Sequence, residues 1–319
     1  MYKNTAQQAL SPNGTQSQNM ERMHLILIGL YSVILAGGIA GVIVMSRRLS
    51  QRNIQSVMTI IIINLMVVHS ILLLSLPFRL AYYISYEWKF GWFTCKVFSG
   101  MIYAHMYITF IFYVVIIIIR LLRKEFQRCY TTTWIVAVWF VVIVIISPIF
   151  LSFYGTSTNY NYSECFQFHR DIQQQGMVIA NYCLIGIMGT TISALSISQL
   201  TVIFQLAMKY WPGMNSHVEF RAQMKSFFFI LVILVCFIPH HVFRIYYIQH
   251  PPQKDDNSLL LYNEIFLGFT ALCCLDMLSF PLGLRLFTDG EGVSTQSRAF
   301  RTLSKEHLGT STGSNFTEW

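Results

Sequence analysis

Residues 96–122 read KVFSGMIYAHMYITFIFYVVIIIIRLL, and between Lys96 and Arg120 the only ionisable groups besides tyrosines are those of His105. A helix rises about 1.5 Å per residue, so roughly twenty apolar residues cross the ~30 Å hydrocarbon core of a bilayer. A helix is the expected form, because lipid offers no partners to backbone N–H and C=O groups. Working outward from this stretch, six more runs of comparable length and polarity follow: about His24–Met45, Val57–Tyr82, Thr133–Phe153, Met177–Met208, Phe227–Ile248 and Leu259–Phe287. The reading is an all-α, seven-transmembrane helix bundle over residues 23–287. An extracellular N-terminal tail (1–22) precedes it and a cytoplasmic tail (288–319) follows. No internal repeat, linker or second domain is visible.

The composition agrees. Apolar residues make up 54% and charged residues 11% of the chain, whereas a soluble domain carries roughly a quarter charged residues. The net charge of +8 does not point to nucleic acid. The basic residues sit in short clusters between apolar runs, as topology signals do, and form no continuous basic face.

Charge bias sets the orientation. The segment after the first run holds Arg47, Arg48 and Arg52 without an acid, and that after the third holds Arg120, Arg123, Lys124 and Arg128 against Glu125. These belong in the cytosol; the alternate segments are neutral or slightly acidic, as with Lys254 beside Asp255 and Asp256. The N-terminus is therefore outside. The polar first twenty-two residues hold no signal-peptide core, so the first run is expected to act as an uncleaved signal-anchor. Glycosylation sequons at Asn13 and Asn161 fall outside under this topology, and the one at Asn315 falls inside. Of the seven cysteines, Cys95 and Cys165 are the two in outer segments, the oxidising side. They are expected to staple the top of the third span to the loop after the fourth; the alternative is two free thiols. Most of the others lie inside spans, where cysteine behaves as a small hydrophobe.

An ordered set of landmarks runs through these spans. Gly-Gly-Ile-Ala-Gly occupies 37–41; Asn64-Leu65 is followed by His69 and by Leu76-Pro77-Phe78; Trp88-Lys-Phe-Gly91 leads into Cys95. Arg120 lies within Ile119-Arg120-Leu121, and Trp139 and Pro148 mark the fourth span. The sixth carries Cys236-Phe237-Ile238-Pro239, and the seventh Asp276-Met-Leu-Ser-Phe280 with Phe287 seven residues on. In this set the chain resembles the rhodopsin-like G-protein-coupled receptors. Phe237-x-Pro239-His240-His241-x-x-Arg244 is similar to a signature of their purinergic and lysolipid-like branch. The chain departs from the family at His69 (usually aspartate), Ile119 (aspartate), Phe237 (tryptophan) and Met277 (proline), and lacks the usual prolines or asparagine of spans five, seven and one.

The resemblance implies a multi-pass plasma-membrane receptor of the rhodopsin-like fold with a short amphipathic eighth helix after Phe287. It implies an extracellular small-molecule ligand and a heterotrimeric G protein as partners, with no cofactor. Arg120, Glu219, Phe237, Pro239, Asp276, Phe280 and His69 are then the activation switch. Glu219 stands twenty residues before Pro239, where relatives pair a glutamate with the arginine of the third span. An Arg120–Glu219 latch near water contributes about 1 kcal/mol; the alternative is that Arg120 simply snorkels. Ile119 weakens the restraint and predicts some basal activity.

Ionisable groups inside spans are functional candidates by default. His69 and Asp276 are expected to meet across the second and seventh spans. Imidazole suits sodium poorly, so a sodium-insensitive receptor is expected; the alternative is a neutral core histidine bonded to a carbonyl. Toward the outside, Arg79, His241 and Arg244 are candidate contacts for an anionic ligand, since the arginine fork donates parallel hydrogen bonds to carboxylate or phosphate. Lys96 is a further cation there. Glu264 is expected to neutralise Arg244 in the empty pocket, and Tyr103, Tyr107, Phe237 and Tyr247 to line its floor. Gly186 and Gly189 are candidates to soften the fifth span. The polar tail after Phe287 offers Arg301-Thr-Leu-Ser304 and other Ser/Thr sites to receptor kinases and arrestin.

Among rival functions, a transporter or channel usually shows repeats or polar-lined broken helices, and neither is visible. A metal-dependent membrane enzyme needs several converging ligands, yet His240 and His241 are adjacent and point about 100° apart on a helix; no such cluster is apparent, and neither catalysis nor a metal is expected. A retinal photoreceptor needs a lysine in the seventh span, and Leu259–Phe287 has none. A receptor-shaped protein uncoupled from G proteins, acting as scavenger, arrestin-only receptor or partner modulator, is the remaining alternative.

Overall fold

The computed structural model describes residues 12–50, 57–122, 128–146, 165–166, 174–214, 217–250 and 258–278. Phe280, Phe287, Pro148, Asn161, the eighth helix and the cytoplasmic tail lie outside the described residues, as does the side chain of Asn13. Every regular element among the described residues is helical. In chain order they are α1 Pro12–Leu49, α2 Val57–Ser85, α3 Trp92–Leu122, α4 Arg128–Phe140 with a wide turn Val141–Ile146, and α5 Gln175–Tyr210. The sixth crossing is two helices, α6 Val218–Cys236 and α7 Ile238–Gln249, and the seventh is α8 Ser258–Ala271 with a tight turn Leu272–Leu275.

Six stretches are long and apolar enough to cross a bilayer, and a shorter apolar helix, Tyr130–Val144, represents the fourth span. The helices overrun the apolar runs at most ends: α3 starts four residues before Lys96, and α1 starts at Pro12 rather than near His24. Hydropathy marks only the lipid-facing length, whereas hydrogen bonding continues the helix into the headgroups. Proline suits a first helical turn, where its missing N–H has no partner to lose.

α1 packs on α2 and α8, α2 on α3, α3 on α6, and α5 on α6. The glycines at 37–41 permit this closeness. A Cβ on Gly41 would lie 2.9 Å from Met277 Cβ, and one on Gly38 would meet Leu73 at 2.5 Å. The core has two layers. The outer gathers Tyr31, Leu72, Leu76, Tyr83, Trp88, Phe166 and Tyr247; the inner gathers Leu65, Met106, Tyr113, Ile116, Phe229, Ile233 and Phe237. Large apolar side chains such as Leu74, Ile187, Phe204 and Val235 point outward, as lipid-facing side chains must.

Three irregularities shape the interior. Pro77 sits within α2, where it lacks the N–H that the helix interior needs, and Pro239 stands in the first turn of α7, just after the break at Phe237. The described part of the seventh crossing, 258–278, has no proline, yet it tightens to a 3-10 turn at Leu272–Leu275. α5 runs unbroken through Gly186 and Gly189.

Candidate ligand cavity and activation core

Cys95 and Cys165 form a disulfide with Cα atoms 5.8 Å apart, which marks this end of the bundle as the oxidising, outer one. Beside it, Phe166 holds a positive φ of 66° and lies over the guanidinium of Arg79 at 4.1 Å. Tyr82, Tyr83 and Trp88 pack around the same ring.

Beneath this aromatic cap opens a cavity of about 570 Å³ between α2, α3, α4, α5 and α7. Its wall is chiefly apolar, with polar groups from Lys96, Tyr103, His105, Tyr107, Asn181, His240, His241 and Arg244 among them. That mixture is typical of small-molecule sites. Arg244 is held in place, its Nε donating to Asn181 Oδ1 at 3.2 Å and its Nη1 to Asn263 Oδ1 at 3.1 Å. Its guanidinium lies 5.8 Å from the ring centroids of Tyr103 and Tyr247. His240 Nδ1 and His241 Nε2 are buried without a hydrogen-bond partner among the described residues. Such atoms call for an explanation. The adjacent histidines both line this cavity, together with Arg244 one turn on, despite their angular separation.

The structure separates the other expected ligand contacts from this cavity. Arg79 is fully buried outside its lining, with Nη1 2.9 Å from Glu264 Oε2. It also donates to the Phe98 carbonyl at 3.2 Å, and Tyr83 Oη donates to Glu264 at 3.2 Å. Glu264 thus turns to Arg79 rather than to Arg244, correcting the expected pairing; α8 presents it toward α2, and the acid settles on the cation it can reach in two hydrogen bonds' company. Tyr247 is fully buried behind Arg244, and Phe237 lies in the inner core against Phe110 and Tyr113.

At the centre, His69 and Asp276 come together, Nε2 to Oδ1 at 3.6 Å. Tyr113 Oη donates to the other carboxylate oxygen at 2.6 Å. His69 Nδ1 is 2.8 Å from His105 Nε2. Cysteines of the tight turn complete this group, so side chains able to ligate a metal do converge, contrary to the sequence expectation. Donors spread over three crossings leave no local spacing to read.

At the inner end, Arg120 and Glu219 form no ion pair among the described residues. Arg120 Nη1 donates to the Ala222 carbonyl at 3.4 Å, while the exposed Glu219 accepts from Tyr210 at 3.4 Å. Two glutamines that the sequence reading passed over take the latch position. Gln223 Nε2 donates to the Arg120 carbonyl at 3.1 Å, and Gln199 Nε2 donates to Gln223 Oε1 at 2.9 Å. Both are buried; Gln199, an amide inside the fifth apolar run, was the available signal, whereas Gln223 precedes the sixth run among charged residues.

Seven membrane crossings, a disulfide from the third crossing to the following outer loop, a proline-broken sixth crossing beside a cavity and an arginine ending the third define a class of signalling receptors. The chain belongs to the 7 transmembrane receptors of the rhodopsin family, whose pattern matches residues 40–276. It is accordingly a multi-pass plasma-membrane receptor and not an enzyme. Among its relatives is the human Probable G-protein coupled receptor 141, 41% identical over 267 residues, covering 81% of this chain and 88% of that one. Mouse Probable G-protein coupled receptor 34 is 25% identical, with 86% and 79% covered. The 2-oxoglutarate receptor 1 of Rattus norvegicus is 27% identical, with 74% and 72% covered.

Proposed function

We propose that the receptor binds a small extracellular anion in the cavity beneath the disulfide and activates heterotrimeric G proteins in response. The carrying observation is Arg244. It reaches the cavity wall with its fork oriented by two neutral amide oxygens, while Lys96, His240 and His241 stand on the same wall. Arginine held in this way suits a carboxylate or phosphate. A relative named for 2-oxoglutarate, a dicarboxylate, supports the same chemistry.

The ligand's anionic group meets Arg244 and His241, with the rings of Tyr103 and Tyr107 against its apolar part. Arg79 and Tyr247 act from behind, fixing α2 and α7. Binding biases α7, and the bend at Phe237–Pro239 passes the change to α6, where Gln223 holds Arg120. A ligand shifts this equilibrium only by its different affinity for the two arrangements. Kinases and arrestin act on the cytoplasmic tail.

The test is a G-protein dissociation assay in cells with nucleotides, lysophospholipids and carboxylates, using wild type, Arg244→Ala and Arg120→Ala. Wild type responds to one anionic class, Arg244→Ala loses potency and Arg120→Ala loses coupling. Equal, null signals in all three, with ligand binding retained, favour a receptor uncoupled from G proteins.

A further inference from the structure

Midway through the bundle, nitrogen and sulfur donors from three crossings converge. His69 Nδ1 and His105 Nε2 are 2.8 Å apart. Cys274 Sγ lies 3.3 Å from the first and 3.5 Å from the second, and Cys273 Sγ lies 4.0 Å from His105 Nε2. All four residues are buried. We propose that they form a binding site for a soft divalent transition-metal ion, zinc in the first instance, which ties α2, α3 and the tight turn after α8 together.

The separations fit. Tetrahedral zinc takes nitrogen at about 2.0–2.1 Å and sulfur at about 2.3 Å, which places neighbouring ligand atoms roughly 3.3–3.8 Å apart. The donor atoms of His69, His105 and Cys273 all lie within 4.8 Å of one another; to admit the ion the two ring nitrogens part by about half an ångström and Cys273 Sγ closes on His105 by a similar amount. Two imidazoles and two thiols are a donor set that selects zinc over sodium, magnesium or calcium, which prefer oxygen.

The surroundings are those of a metal site. A ligating histidine generally hands its second ring N–H to a carboxylate, which fixes its tautomer and tilt. His69 Nε2 faces Asp276 Oδ1 at 3.6 Å, and Tyr113 anchors the other oxygen of that carboxylate. The site also borders the cavity at His105. An ion within the cavity therefore meets its first ligand there. Because the donors belong to three crossings, the bound ion favours the arrangement in which they meet and restrains movement of the tight turn. The thiols give up their protons to the surroundings on binding, as metal-ligating cysteines must.

The test uses the full-length receptor in lipid nanodiscs, dialysed against Zn²⁺ and separately against Co²⁺. Expected are about one zinc per receptor, a higher melting temperature with zinc, and for cobalt the thiolate charge-transfer and tetrahedral d–d absorption bands. Cys273→Ser/Cys274→Ser and His105→Asn lose the ion and the bands. Cys183→Ser, at an exposed thiol of α5, keeps both. Asp276→Asn weakens binding roughly tenfold to a hundredfold. Substoichiometric zinc in the wild type, a cobalt spectrum without a thiolate band, or full binding by the double cysteine variant overturns the site. If the variants do not fold, the wild-type cobalt spectrum alone decides.

Discussion

Arg79 and Glu264 form a buried ion pair that joins α2 to α8, with Nη1 2.9 Å from Oε2 and no appreciable exposure of either residue. Phe166 closes it from outside at 4.1 Å. In such a place a charge is tolerable only with its partner. The pair therefore fixes how the outer ends of the second and seventh crossings meet, and leaves Arg244 to the cavity.

Removing one member leaves the other uncompensated, which costs roughly 3–5 kcal/mol. Arg79→Met and Glu264→Leu should each lower the melting temperature of purified receptor sharply. The double substitution should be less harmful than the sum of the two, and a double-mutant cycle measures the difference. Additive losses would mean that the two side chains do not act as a pair.

The disulfide supports the cap over Arg79. Cys165→Ser should destabilise the receptor by about 2–4 kcal/mol, and a reducing agent should do the same to wild type. Thermal unfolding with and without dithiothreitol checks this, and Cys183→Ser serves as the control.

At the inner end Arg120 is contacted by an amide side chain rather than by an acid. Gln223→Leu releases the Arg120 carbonyl and strands Gln199, and should raise basal nucleotide exchange on reconstituted G protein several-fold. Glu219→Ala should change it little, because that side chain is exposed and turned to Tyr210. The reverse ranking would restore the arginine–glutamate latch.

The glycine patch of α1 is a packing device. Gly41→Leu would drive a side chain into Met277 and Leu278, and overpacking of this kind costs about 1–3 kcal/mol. Reduced surface expression and a lower melting temperature are expected. Gly29→Leu, where a Cβ meets nothing within 4 Å, should be tolerated.

How much of this was legible in the sequence depends on the range of the interaction. Span lengths are local, so seven crossings could be read from hydropathy, and the odd ionisable groups His69, Asp276, Arg79 and Arg244 stood out within apolar runs. The meeting of His69 with Asp276 was read as well, but their other partners were not. His105 is 36 residues from His69, Tyr113 is 163 from Asp276 and Glu264 is 185 from Arg79. A helix turns about 100° per residue, so span assignment leaves open which of two outer arginines one glutamate faces. The same rotation hid the Gln223–Arg120 contact and the convergence of two histidines with Cys273 and Cys274. The tightening of the seventh crossing at Leu272–Leu275 was not read either, because it rests on backbone geometry that no single residue there announces.

The most direct test of the anion-binding cavity is the dissociation constant of the most potent carboxylate or phosphate for purified receptor, compared between wild type, Arg244→Lys and Arg244→Ala. Truncating one partner of a buried charge pair costs about 2–5 kcal/mol, so Arg244→Ala should bind about thirtyfold more weakly or worse. Arg244→Lys, which keeps the charge without the fork, should fall between. An unchanged constant in a correctly folded Arg244→Ala receptor would contradict the account.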